Sequence, residues 1–165
     1  MKKLLVLCLS VGIALPAEGQ AHFRHHGWYT LPDSVMTPGD TLTSDTVVIC
    51  HRKTSGVRSV SKQIHNLAHS KYGTKETDST KYEVDHLISL ELGGSNSIKN
   101  LWPQIYPEAY EKDRVEDELH RLVCQGKMNL RQAQVGISRD WVALRDSLSN
   151  SHVTTSNRLH LSNRY

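Results

Sequence analysis

The chain has 165 residues, 38% of them hydrophobic, with 20 Lys and Arg against 17 Asp and Glu. That is enough apolar material for one core and excludes a second full domain. A net charge of +3 does not by itself indicate a nucleic-acid partner.

Residues 1–21 read as a secretory signal. Lys2 and Lys3 precede an apolar run from Leu4 to Leu15, which is too short to span a bilayer, and small or polar residues follow to Ala21. Cleavage after Gly19 or after Ala21 satisfies the small-residue rule, and either predicts a secreted or periplasmic protein with a mature net charge of +2. Residues 22–45 carry Gly27, Pro32, Pro38 and Gly39 among threonines and serines, with no sustained period, and predict an extended or poorly ordered arm. Cleavage after Gly19 would place His22 third from the free amine, a copper- or nickel-chelating geometry, although an unstructured histidine-rich arm is the preferred reading.

Residues 46–148 form the predicted domain. "TVVIC" (Thr46 to Cys50) has the β-branched character of a strand. Val60, Ile64, Leu67 and Ala68 recur at helical spacing and predict a helix ending at Gly73, followed by a polar loop to Lys81. From Thr46 to Lys75 there is no acidic residue and a formal charge of +6. Arg52, Lys53, Arg58 and Lys62 are its candidate phosphate contacts, the alternative being a solvated basic face.

"YEVDHLISLEL" followed by Gly93-Gly94 suits a bent strand or hairpin. "EAYEKDRVEDELHRLVC" predicts a helix closed by Gly126. Another begins at the N-cap Asn129, with Leu130, Ala133, Ile137, Trp141, Leu144 and Leu148 as its apolar stripe. Residues 149–165 predict a polar, frayed tail. Cys8 leaves with the signal, so Cys50 and Cys124 form an even pair that predicts a disulfide. The fold class is α+β, a small hairpin among helices.

The chemistry-bearing pair is Asp85-His86. Hydrolysing a phosphodiester requires a base for water and a cation for the developing charge. At a strand end a carboxylate can bind a hard cation, and a histidine titrating near neutrality can take a proton.

The stretch "YEVDHLISLELGGSNSIKNLWPQ" resembles the core of the HNH endonucleases, and the longer pattern through "EKDRVEDELHRLVCQG" and "RDW" is similar to exported bacterial proteins of that type. The resemblance implies a ββα-metal motif: Asp85 on a cation, His86 as general base, and Asn100 pinning the loop. Asn100 follows His86 by 14 residues, which suits the motif. The family takes a further ligand, His or Asn, from the start of the helix, where this chain offers neither. Glu111 and Asp113 are the candidate substitutes, with magnesium or manganese as the expected cation and zinc or nickel as alternatives.

Other residues at the pair and along the helices have plainer readings. Glu83, Glu91 and the run Glu116, Asp117 and Glu118 read as solvated, Trp102 and Trp141 as core, and His120 as a surface residue or a group behind the ligands. The resemblance thus implies an exported, monomeric, metal-dependent endonuclease acting on DNA or RNA with little sequence preference. The departure at the helix leaves open a non-catalytic nucleic-acid-binding module on the same scaffold. A disulfide-stapled envelope protein is the third reading.

Overall fold

The computed structural model describes the backbone of residues 23–162 and the side chains of residues 23–150. The predicted signal segment, Cys8 and His22 lie outside the described residues. Two antiparallel two-stranded hairpins and four helices make an α+β fold. None of the described helices is long and apolar enough to cross a membrane.

The arm is ordered, contrary to its composition. Strands β1 (Arg24–His26) and β2 (Tyr29–Leu31) pair in a tight hairpin. Sparse but large apolar groups hold it down: Leu31 is buried in the main core, and Phe23 packs against Tyr72, Tyr82 and Trp102. Further along, the Gly39 N–H donates to the Lys99 carbonyl and the Leu42 N–H to the Gly93 carbonyl.

"TVVIC" is also not a strand. It is helix α1 (Thr46–His51), because the Asp45 carboxylate accepts from the Val47 and Val48 N–H groups and nucleates a turn that β-branching alone disfavours. Cys50 at its end is disulfide-bonded to Cys124, with a Cα–Cα distance of 5.6 Å. The bridge joins α1 to α3 (Glu108–Cys124) across a separation of 74 residues.

Helix α2 (Lys62–Lys71) starts at the Ser61 cap and stops before Gly73, as its spacing predicts. Strand β3 (Tyr82–His86) pairs with β4 (Leu101–Ile105), Asp85 opposite Trp102 and His86 opposite Leu101. Helix α4 (Leu130–Ser162) begins where the Asn129 side chain accepts from Arg131 and Gln132. It breaks at Asp140, whose carboxylate caps the second half through the Ala143 N–H. The polar tail is therefore helical as far as Ser162 rather than frayed from Ser149.

The main core lies between α3 and α4. Val115, Leu119 and Val123 meet Leu130, Ala133, Ile137 and Trp141, with Ile88 and Leu92 closing the end towards the β3–β4 loop. Trp102 belongs to a smaller cluster with Tyr72 and Leu87. Trp102 and Trp141 are both core, as read from the sequence.

Candidate functional site

The loop between β3 and β4, from Leu87 to Asn100, is organised by one amide. Asn100 is fully buried. Its Nδ2 donates to the carbonyls of Ile88 (2.9 Å) and Ser95 (3.0 Å), and its Oδ1 accepts from the N–H groups of Ile88 (2.9 Å) and Asp40 (3.3 Å). These bonds draw the two ends of the loop together. Gly94 is required where they meet: a Cβ there would collide with the Ile88 carbonyl and crowd the Asn100 amide. Gly93, at φ 81°, turns the chain with its carbonyl against the arm, accepting from the Leu42 and Thr43 N–H groups, and a Cβ would strike the Thr43 carbonyl.

His86 ends β3 and is 1% exposed. Its Nε2 lies 3.1 Å from Asn96 Oδ1. The Asn96 amide has only one sensible orientation, since its Nδ2 donates to the Val57 carbonyl (2.8 Å) and its Oδ1 also accepts from the Ser59 N–H (3.2 Å). An acceptor oxygen obliges His86 Nε2 to carry the proton, which leaves Nδ1 with a bare lone pair. That Nδ1 is buried and has no hydrogen-bond partner in the protein. Burial pushes the His86 pKa down, against the opposing pull of Asn96 and Asp85, so the ring is neutral at pH 7. The sequence does not single out Asn96; its placement depends on contacts with residues 57 and 59, which no local pattern reveals.

Asp85 is not free. Its Oδ2 receives a 2.6 Å hydrogen bond from Lys112 Nζ, which also donates to the His86 carbonyl (2.8 Å) and to Glu116. Lys112 is 1% exposed, so three acceptors saturate a buried ammonium. Burial alone would pull its pKa down, but the Asp85 and Glu116 carboxylates outweigh it and the lysine stays charged. Glu116 is shifted up as well, but there burial wins, with Asp85 adding to it while Lys112 pulls it back. Glu116 is thus a buried partner, and the expected wet helix face does not include it.

Asp85, His86, Glu91, Asp113, Glu116 and Asp117 line one cavity of about 320 Å³, with Arg58 at its edge. Burial raises the Asp113 and Glu91 carboxyls, and neighbouring carboxylates add to it, Asp85 for Asp113 and Asp117 for Glu91. Glu91 is consequently part of the cavity rather than solvated. Glu83 is half-buried as well, its carboxylate accepting from the Tyr106 hydroxyl at 2.7 Å.

Of the two candidate helix ligands, Asp113 reaches the cavity and Glu111 does not. Residues on a helix turn by roughly 100° each, so Glu111 lies on the far face from Glu116 and Asp117. There it accepts from the Tyr29 hydroxyl (2.9 Å) and pairs with Arg145 (2.8 Å). Glu108 is similarly engaged, binding the Thr30 N–H and hydroxyl.

The basic residues scatter. Arg58 lines the cavity, Lys62 pairs at 3.7 Å with Glu76, Lys53 is exposed, and Arg52 buries one guanidinium nitrogen without a partner. Of these four, Arg58 alone is among the residues that line the acidic cavity.

The oxygen donors at the cavity fit a hard cation such as magnesium or manganese: Asp85 retains a second oxygen and Asp113 shares its wall. Among the described residues, the ligand atoms of three His, Cys, Asp or Glu side chains come within 4.8 Å of one another only at Cys50, His120 and Cys124. The cavity would therefore supply one or two ligands and leave the rest to water, which magnesium tolerates. The sulfurs of Cys50 and Cys124 are consumed by the disulfide and offer no thiolate. His120 sits beside them, near the Ile49 carbonyl, and its charge acts on Glu91 of the acidic cavity.

No protein-family model matches the sequence, and neither a curated protein nor a solved structure is significantly similar to it.

Proposed function

We propose that the protein is a phosphodiester hydrolase of the HNH type, acting on nucleic acid. The observation that carries the reading is His86: a neutral imidazole whose Nε2 proton is fixed by Asn96 and whose bare Nδ1 belongs to a side chain lining an acidic cavity. A hydrolase needs such a base, oriented before substrate arrives. A core histidine with no chemistry to perform would be expected to satisfy both ring nitrogens. The hairpin, the Asn100-pinned loop and the packed helix α3 also correspond to the ββα arrangement that the sequence resemblance implies.

In this mechanism His86 Nδ1 takes the proton of an attacking water, and Asn96 holds the imidazole against rotation and accepts the Nε2 hydrogen throughout. Arg58 meets a phosphate oxygen at the cavity mouth. Lys112 does not reach substrate; it holds Asp85 and the His86 carbonyl so that acid and base keep their mutual position. Asp85 and Asp113 would hold a divalent cation, which when bound would neutralise charge on the phosphate and the departing oxygen.

A second reading, the non-catalytic nucleic-acid-binding module, is favoured by one observation: Lys112 already neutralises Asp85. Cleavage of supercoiled plasmid under magnesium or manganese separates the two. With magnesium the wild type is expected to nick plasmid, and His86→Ala to cut about two to four orders of magnitude more slowly while still binding DNA. A wild type that binds DNA and nicks nothing under either metal would replace the hydrolase with the binding module.

A further inference from the structure

Beside the acidic cavity lies a larger one, of about 730 Å³, walled by α2, β3 and the end of β4. Arg58 is the one residue common to both linings. Strand β3 runs from one to the other, with Tyr82 and Glu83 in the large cavity and Asp85 and His86 in the acidic one. Glu83 and Asp85 are two residues apart on the same strand face, about 6.6 Å along it, so the two spaces are neighbours at the scale of one nucleotide.

The lining chemistry of the large cavity is mixed. The rings of Tyr82 and Tyr106 line it, Tyr82 with the Lys81 ammonium 5.1 Å from its centroid and Tyr106 tilted against Tyr110. Arg58 provides a cation, His65 an imidazole, and Glu83 a carboxylate acceptor partly held by the Tyr106 hydroxyl. The volume falls within the range of about 300–1,000 Å³ typical of sites for small organic ligands. It suits a single nucleotide and is too confined for a duplex.

We propose that the large cavity is a nucleotide subsite, receiving an unpaired base next to the phosphate held by Arg58, so that the protein acts on single-stranded or locally unpaired nucleic acid. This inference rests on the hydrolase reading of the acidic cavity. A base in a duplex is stacked and paired, and entering the cavity would require its extrusion, whereas an unpaired base presents its face and its amino groups freely. Arg58 then serves both spaces, gripping the backbone where the chain passes from the base-binding cavity to the hydrolytic one.

The test measures the wild-type protein in EDTA by fluorescence anisotropy, against a short labelled single strand and the same strand in a blunt duplex. The single strand is expected to bind about tenfold or more tighter, and Tyr82→Ala to reduce that affinity about tenfold through lost stacking. Because Tyr82 also lies parallel to Phe23, with ring centroids 6.5 Å apart, a second variant fills the space from its exposed rim: Ser79→Trp. That variant should lose single-strand affinity to a similar extent and leave duplex affinity unchanged.

Equal affinity for both forms, or a Ser79→Trp protein that binds single strand like wild type, overturns the subsite. The two readings fail separately. Single-strand binding that Ser79→Trp abolishes, in a wild type that cuts nothing under magnesium or manganese, keeps the subsite and removes the hydrolase. Cleavage of both forms at one rate, unaffected by Ser79→Trp, keeps the hydrolase and removes the subsite.

Discussion

The loop from Leu87 to Asn100 and the inner face of α3 meet at the acidic cavity, and they bury polar groups in opposite ways. The loop uses neutral amides: Asn100 makes four hydrogen bonds and Asn96 three, all within the protein. The helix uses charge: one ammonium, Lys112, between two carboxylates. Neutral amides carry no ion-desolvation cost and fix the backbone and imidazole geometrically. A buried charge cluster fixes position too, but it is costly to desolvate and sets the electrostatics of everything nearby. The loop therefore orients the His86 imidazole, and the helix determines how much negative charge the cavity presents.

The contrast is broken most severely at Lys112. Lys112→Met removes the buried ammonium from between two part-buried carboxylates and is expected to lower stability by up to about 3 kcal/mol, measured by urea denaturation. Adding Asp85→Leu and Glu116→Leu should recover most of that loss, because replacing a whole buried ion cluster with apolar groups is often neutral or stabilising. A single variant as stable as wild type would show that the triad holds nothing in place.

The corresponding change in the loop is Asn100→Ala, which strands the Ile88 N–H and the carbonyls of Ile88 and Ser95. Its expected cost is about 2 kcal/mol, less than for Lys112 because only neutral groups lose partners. Hydrogen exchange at the Ile88 amide provides a local check, since it should accelerate more than amides in the α3–α4 core. Protection that falls uniformly across the protein would make Asn100 an ordinary core residue rather than the tie of this loop.

The same contrast explains what could be read from the sequence. Asp85 and His86 at a strand end, the glycine pair, the span of α3 and the Asn129 cap were legible because each is a local signal, whereas Asn100 was singled out only by the resemblance. So was the stripe from Leu130 to Leu148, which keeps helical spacing across the break at Asp140. Lys112 was not: lysine is a surface residue by default, and only its three partners, drawn from β3 and α3, make it an interior cation. The α1 segment misled because β-branching outvoted a single capping residue, Asp45. The arm misled because Phe23, Tyr29 and Leu31 do their packing against distant elements, and composition counts only how few they are.

Helix α2, which walls the larger cavity, sharpens the comparison by burying an ionisable group that stays neutral. His69 is 3% exposed, with Nδ1 at 2.8 Å from Thr74 Oγ1. Burial pushes its pKa down and the charge of His65 pushes the same way, while Glu76 and Asp78 oppose them. In the unfolded chain a histidine titrates near its ordinary value of about 6.5. Below that pH the unfolded state binds a proton that folded His69 refuses, so stability is complete above about 6.5, falls as the pH drops through it, and levels off once the lowered folded value is passed. His86, buried and lowered for the same first reason, contributes with the same sign. His69→Gln should therefore make the decline in Tm between roughly pH 7 and 5 shallower without abolishing it, the smallest of these effects. Thermal denaturation of both proteins across that range is the measurement. Parallel declines would mean that His69 accepts its proton inside the fold and that, of the two histidines, the acid sensitivity belongs to His86 alone.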